Sequence, residues 1–218
     1  SQQEYLSTLK ENSFYLLSLL NDLIDIAKLD TNQGKDERIT INIKQFISEL
    51  LGLLEEKIDK SRNEFIVSVD EELPDTIKLD SQKLRYILLN LITVSLRLTE
   101  RGKISLSIFS SEKNQLRASI RDTGIGIPQD KVNDIFNALT QAGEAISTQF
   151  GGTGLGLSIS ENLIQRLGGN IWCESQVGLG STLSFPLTTT IEQQHSIYNT
   201  LRQGSEIDMS WSILVVWD

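Results

Sequence analysis

One cysteine, one histidine, one methionine and three prolines are all that 218 residues contain of these types, and each scarcity excludes something. Cys173 has no second thiol to pair with, so no intrachain disulfide holds the fold, and a reducing cytoplasm fits this usage best. His195 stands in a stretch rich in Thr, Gln and Ser, without the acidic context of a reactive histidine, and reads as a solvated linker residue. No apolar run approaches the ~20 residues of a membrane span, and no signal sequence opens the chain. Lys and Arg number 20 against 29 Asp and Glu, a net charge of -9. That excludes a broad nucleic-acid or anionic-membrane surface but allows a local basic pocket. Nucleic acid is therefore not an expected partner. The chain starts at Ser1 and its one methionine is Met209, so a piece of a longer polypeptide is expected, with a membrane part in the parent.

Hydrophobic residues at 39% and charged residues at 22% describe a globular protein, long enough for one well-buried domain plus an appendage. Residues 1–30 contain no proline or glycine, and Leu6, Leu9, Leu16, Leu20, Leu23 and Ala27 recur at heptad spacing with Ser13 as the polar break. This seam predicts a helix of roughly 45 Å at 1.5 Å per residue. Its other side carries Tyr5, Phe14, Leu17 and Ile24, which favours a bundle with further helices over packing on its own domain. DTNQGKDE at 30–37 ends the helix as a hinge.

Beyond the hinge, periodicity predicts strands at 38–44, 64–70, 103–109, 115–121, 170–176 and 181–187, and helices at 45–60, 81–98 and 154–167. Several strands are joined by hairpin-like links rather than helices. The expected class is α+β, a two-layer sandwich with a mixed sheet and helices on one face, preceded by the long helix. The expected organisation is a helical stem at 1–33, a domain at 34–188, a linker at 189–211 and, in SILVVWD at 212–218, the start of another domain.

Two glycine-rich loops carry the chemistry. RDTGIGIP at 121–128 taken alone is compatible with a plain turn. FGGTGLGLS at 150–158 opens a helix, where backbone amides and the positive helix end can cradle phosphate. It is not a P-loop, which needs Gly-Lys followed by Ser or Thr, nor a dinucleotide fingerprint, which needs glycine where Leu157 stands. DTGIGIPQDKVN likewise lacks the acidic positions of a calcium loop. The two loops make sense together if they hold opposite ends of one nucleotide. Asp122 can accept a hydrogen bond from adenine's exocyclic amine, whereas guanine would present a repelling oxygen. Gly124 and Gly126 let the backbone approach the base, and Gly152, Gly154 and Gly156 do the same for phosphates.

The stretches LRYILLNLITVSLRLTERGKISLSI, IRDTGIGIP, IFNALTQ, STQFGGTGLGLSIS and LGGNIWCESQVGLGSTLSFPL resemble, in order and spacing, the five boxes of sensor histidine kinases. Those proteins share one ATP-binding superfamily, with the Bergerat fold, with gyrase, Hsp90 and MutL. EYLSTLKENSFYLLSLLNDLIDIAKLD resembles the second helix of the dimerisation hairpin of hybrid kinases, and ILVVWD the first strand of a receiver domain. The resemblance implies that Asp122 reads adenine, with Thr182 close to it through water. It implies that Asn90 is a magnesium-site residue, that Arg97 stands where a lysine reaches phosphate, and that Leu98 stands where an aromatic covers the base. Residues 129–153 would form a mobile lid, and Gly151, Gly152, Thr153, Gly154, Leu155 and Gly156 would line the phosphates. It further implies ATP and magnesium as cofactors, a homodimer through the stem, a response-regulator receiver as partner, and a cytoplasmic portion of a membrane-associated bacterial sensor.

Three positions depart from the pattern. Val94 replaces a second asparagine on the helix face of Asn90 and Arg97, where it offers magnesium no oxygen; a water could stand in for the amide. Gln149 stands where a basic lid residue often meets the terminal phosphate. The phosphoacceptor histidine belongs upstream of Ser1, so this chain is not expected to phosphorylate itself. The expected function is the ATP-binding catalytic region of a hybrid sensor histidine kinase, which passes the γ-phosphoryl to a histidine on a missing helix. The alternative is a degenerate kinase acting as a binding module through its stem.

Overall fold

The computed structural model describes residues 38–55, 57–59, 61–71, 73–112, 115–137, 155–189 and 213–217. The stem at 1–33 and the linker with His195 lie outside the described residues. The described chain runs β1 (Ile39–Asn42), α1 (Ile43–Leu54), β2 (Asn63–Val69), β3 (Thr76–Leu79), α2 (Ser81–Leu98), β4 (Gly102–Glu112), β5 (Gln115–Asp122), a 3-10 turn (Asp134–Phe136), α3 (Leu155–Arg166), β6 (Trp172–Gln176), β7 (Gly180–Thr188) and β8 (Ile213–Trp217).

Local chemistry explains most boundaries. The α2 span matches its sequence expectation because two signals agree. Asp80 caps it by accepting from the Lys83 amide at 3.0 Å and also pairs with the Lys83 ammonium, while Leu84, Ile87, Leu88, Leu91 and Ile92 form a fully buried stripe. The first strand and helix meet earlier than periodicity suggested. Asn42 accepts from the Gln45 amide at 2.9 Å, so its side chain starts α1 at Ile43, inside the stretch expected to be strand. The helix then ends at Leu54 rather than at residue 60. The short β3 has no counterpart in the expected strands, and it pairs antiparallel with β1 as a separate two-stranded sheet.

The main sheet has the order β6-β7-β5-β4-β2-β8 and is mixed. Neighbours in β6-β7-β5-β4 are antiparallel, whereas β2 runs parallel to both β4 and β8. Alternation assigns its faces. Phe65 and Val67 of β2, Ile104 and Leu106 of β4, Ala118 and Ile120 of β5, and Leu183 and Phe185 of β7 join one apolar cluster with the stripes of all three helices. Their sequence neighbours Ser68, Ser105, Ser119 and Thr182 stay outside it. This is the expected two-layer sandwich with helices on one face. Fully burying a side chain such as Phe65 or Leu88 contributes about 1.5–3 kcal/mol. Between the helices, Arg85 lies 5.0 Å from the Phe46 ring centre and bonds Glu49 at 2.7 Å, which joins α2 to α1. Among the described residues no helix is long and apolar enough to cross a membrane.

Candidate nucleotide site

The β4–β5 hairpin delivers Asp122 to the end of β5, on the helix side of the sheet, where it is 2% exposed. Burial pushes its carboxyl above the usual aspartate range, opposed by two backbone amides that favour the ionised form. Gly124 N–H donates to Oδ1 at 2.9 Å and Ser181 N–H donates to the same oxygen at 3.3 Å. Among the described residues both donors fall on Oδ1, which leaves Oδ2 as an unused acceptor.

The loop after Asp122 is fixed from two sides. Ile125 N–H donates to the Leu98 carbonyl at the end of α2 at 3.2 Å. Gly178 N–H, in the β6–β7 turn, donates to the Ile125 carbonyl at 2.7 Å, and Ile127 N–H donates to Ser175 Oγ at 2.7 Å. Gly126 closes this contact at φ 71°, and a Cβ there would lie 2.0 Å from the Gln176 carbonyl oxygen, so only glycine fits. Leu98 and Ile125 share the wall of a cavity of about 530 Å³ with Arg97, which is exposed at the end of α2, and with Lys57 and Arg62.

Asn90 lies on α2, where its Nδ2 donates to Ser160 Oγ of α3 at 2.8 Å. Gly156 packs against it so closely that a Cβ would lie 2.4 Å from Asn90 Oδ1. One of the two amide N–H groups is used on Ser160, and Oδ1, the acceptor of the side chain, is the atom that could meet a cation. Among the described residues no group of three or more His, Cys, Asp or Glu side chains could hold a metal ion. Asn90 Oδ1 is an oxygen that a magnesium ion could take as one ligand, which suits a cation that usually keeps several waters. Val94 is half-buried and adds no oxygen.

One site residue is not where it was expected. Thr182 pairs across the sheet with Arg121 and Glu174, on the face away from Asp122. Its neighbour Ser181, 4% exposed, meets the carboxylate instead. Alternation counted from the core residue Leu183 could have found it. Ser160, Ser175 and the β6–β7 turn also escaped the sequence reading, because each acts by contact with a distant segment. Cys173 lies near enough for the Asp122 charge to matter. Burial first, then the charges of Asp122 and Glu174, push its thiol up to about 11, so it stays protonated at neutral pH. Gln149, Gly151, Gly152, Thr153, Gly154 and the part of 129–153 beyond residue 137 lie outside the described residues, whereas Leu155 and Gly156 open α3.

Comparison with known proteins agrees with this geometry. Residues 79–191 match the family described as histidine kinase-, DNA gyrase B- and HSP90-like ATPase. The signal transduction histidine-protein kinase BarA of Escherichia coli (strain K12) is 33% identical over 189 residues, covering 85% of this chain and 21% of BarA. Hybrid signal transduction histidine kinase B of Dictyostelium discoideum is 28% identical over 217 residues, covering 95% of this chain and 11% of that protein. The chain thus spans a minor part of these relatives. The crystal structure of full-length ShkA in complex with AMPPNP superposes with a TM-score of 0.70 at 28% identity, covering 88% of this chain and 39% of that one. Histidine kinase ThkA, in complex with the response regulator protein TrrA, gives 0.60 at 26% identity over 84% of this chain and 52% of ThkA. These relatives are named as kinases, which lends the degenerate, binding-only alternative no support.

Proposed function

Because this chain belongs to the histidine kinase-, DNA gyrase B- and HSP90-like ATPase family, as an ATP-binding catalytic domain of the histidine kinase type, we propose that Asp122 reads the adenine of ATP and Asn90 serves the phosphate end. The observation that carries the reading is the polarity of Asp122. Oδ1 is saturated by two backbone amides while Oδ2 remains an acceptor, which suits adenine's amine and repels a carbonyl. Leu98, whose carbonyl holds the amide of Ile125 three residues after Asp122, would cover the base. Arg97 supplies charge for the phosphates, and Gly151, Gly152, Thr153, Gly154, Leu155 and Gly156 would carry backbone amides towards them. Magnesium, when bound, neutralises phosphate charge. The chain's own contribution is positioning, with Asn90 Oδ1 held by Ser160 and Gly156.

In the whole protein, the γ-phosphoryl would pass to a histidine nitrogen on a helix outside this sequence, as the bond to the β-phosphate oxygen breaks and ADP leaves. A homodimer through the stem at 1–33, a response-regulator receiver as the next phosphate acceptor, and a membrane-associated sensor as parent complete the proposal.

Calorimetric titration with a non-hydrolysable ATP analogue, with and without magnesium, tests the site. Micromolar binding that tightens with magnesium is expected. A folded chain that binds nothing would overturn the reading.

A further inference from the structure

The β6–β7 hairpin does more than extend the sheet. Ser175 Oγ lies at the centre of three contacts. It accepts from Ile127 N–H at 2.7 Å, donates to the Gly180 carbonyl at 3.0 Å, and sits 2.9 Å from Ser181 Oγ. A serine hydroxyl has one proton. With that proton on the Gly180 carbonyl, the bond between the two serines can form only if Ser181 donates. Ser181 then has no hydroxyl proton left to offer, and its N–H is already on Asp122 Oδ1 at 3.3 Å. Ser175, Ser181 and Asp122 share one face of the sheet, since Ser175 pairs with Ser181 and the Arg121–Thr182 pairing sets Asp122 beside Ser181. Among the described residues, the Ser175 and Ser181 hydroxyls therefore face the carboxylate as acceptors, with no proton left to donate to a base.

We propose that Ser175 is a positioning residue for base selection: through Ile127 it seats the glycine loop, and through Ser181 it sets the polarity of the wall, so that a base with an exocyclic amine is preferred to one with a carbonyl. This rests on the reading of Asp122 as the adenine contact. Without the Ser175 hydroxyl, Ser181 O–H is released and can turn to donate to a carbonyl, while Ile127 N–H loses its partner.

The test compares binding of adenosine diphosphate and inosine diphosphate to the full chain, since inosine carries a carbonyl where adenosine carries the amine. For Ser175→Ala the adenosine nucleotide is expected to weaken about tenfold and the inosine nucleotide only about twofold, so that their ratio narrows about fivefold. Ser175→Thr keeps the hydroxyl and is expected to restore the ratio. Ser175→Cys, a weak donor and acceptor of similar size, is expected to fall between them, and it carries the test should the alanine variant fail to fold. Equal weakening of both nucleotides, or no weakening, would overturn the role of Ser175 while leaving Asp122 as the reader. A wild-type chain that binds both nucleotides equally would overturn the Asp122 reading itself, and the inference with it.

Discussion

The two ends of the nucleotide site are built differently. At the base end, Asp122, the glycine loop, the end of α2 and the β6–β7 hairpin interlock through short hydrogen bonds, and Gly126 fits because nothing larger can. At the phosphate end, Asn90 is held by Ser160 and Gly156, but Arg97 is exposed and Val94 contributes no oxygen. A base is flat and uncharged, so selecting it requires acceptors fixed in advance. A triphosphate brings its own charge and metal, and an exposed cation can adapt to it. Preorganisation lowers the ordering cost of binding where geometry decides, and it gains less where charge decides.

Substitutions at the two ends should separate these roles. The largest effect is expected from Asp122→Asn. Its amide keeps one acceptor for the backbone donors but places an NH₂ against adenine's amine, so ATP affinity should fall about a hundredfold in calorimetry, with or without magnesium. Gly156→Ala should push Asn90 aside and weaken ATP about tenfold in the presence of magnesium only. Loss of equal size without the metal would show that Gly156 acts on the phosphates directly rather than through Asn90. Val94→Asn should tighten magnesium-dependent binding severalfold, by restoring an amide oxygen on the face of Asn90. The smallest effect is the pH response. The raised pKa of Asp122 means the folded chain holds this proton more tightly than the unfolded chain. The resulting stability is fully present below the unfolded pKa of about 3.9 and is lost as pH rises through the higher folded value. ATP needs the ionised form, so its affinity should decline on acidification earlier than for an ordinary aspartate, and Asp122→Asn should abolish that decline. An unchanged pH profile in the variant would remove Asp122 from the base contact.

Much of this was legible along the chain. The α2 limits could be read because Asp80 and the Leu84–Leu91 stripe mark start and face locally. The glycine boxes could be read because their order and spacing are properties of the chain. β3 was not, since Thr76–Leu79 is too short to show alternation and exists by pairing with β1. Nor was the start of α1, because Asn42 both closes a strand and caps a helix.

Residue order and apolar period were thus enough for the fold class, and the ordered glycine boxes, through the resemblance they carry, for the family and for Asp122 as the candidate base reader, because each is written in residues close to one another. Which of two adjacent β7 residues meets that carboxylate, Ser181 or Thr182, depended on folding. Strand register is set by partners far apart in the chain, and a shift of one residue turns a side chain to the opposite face.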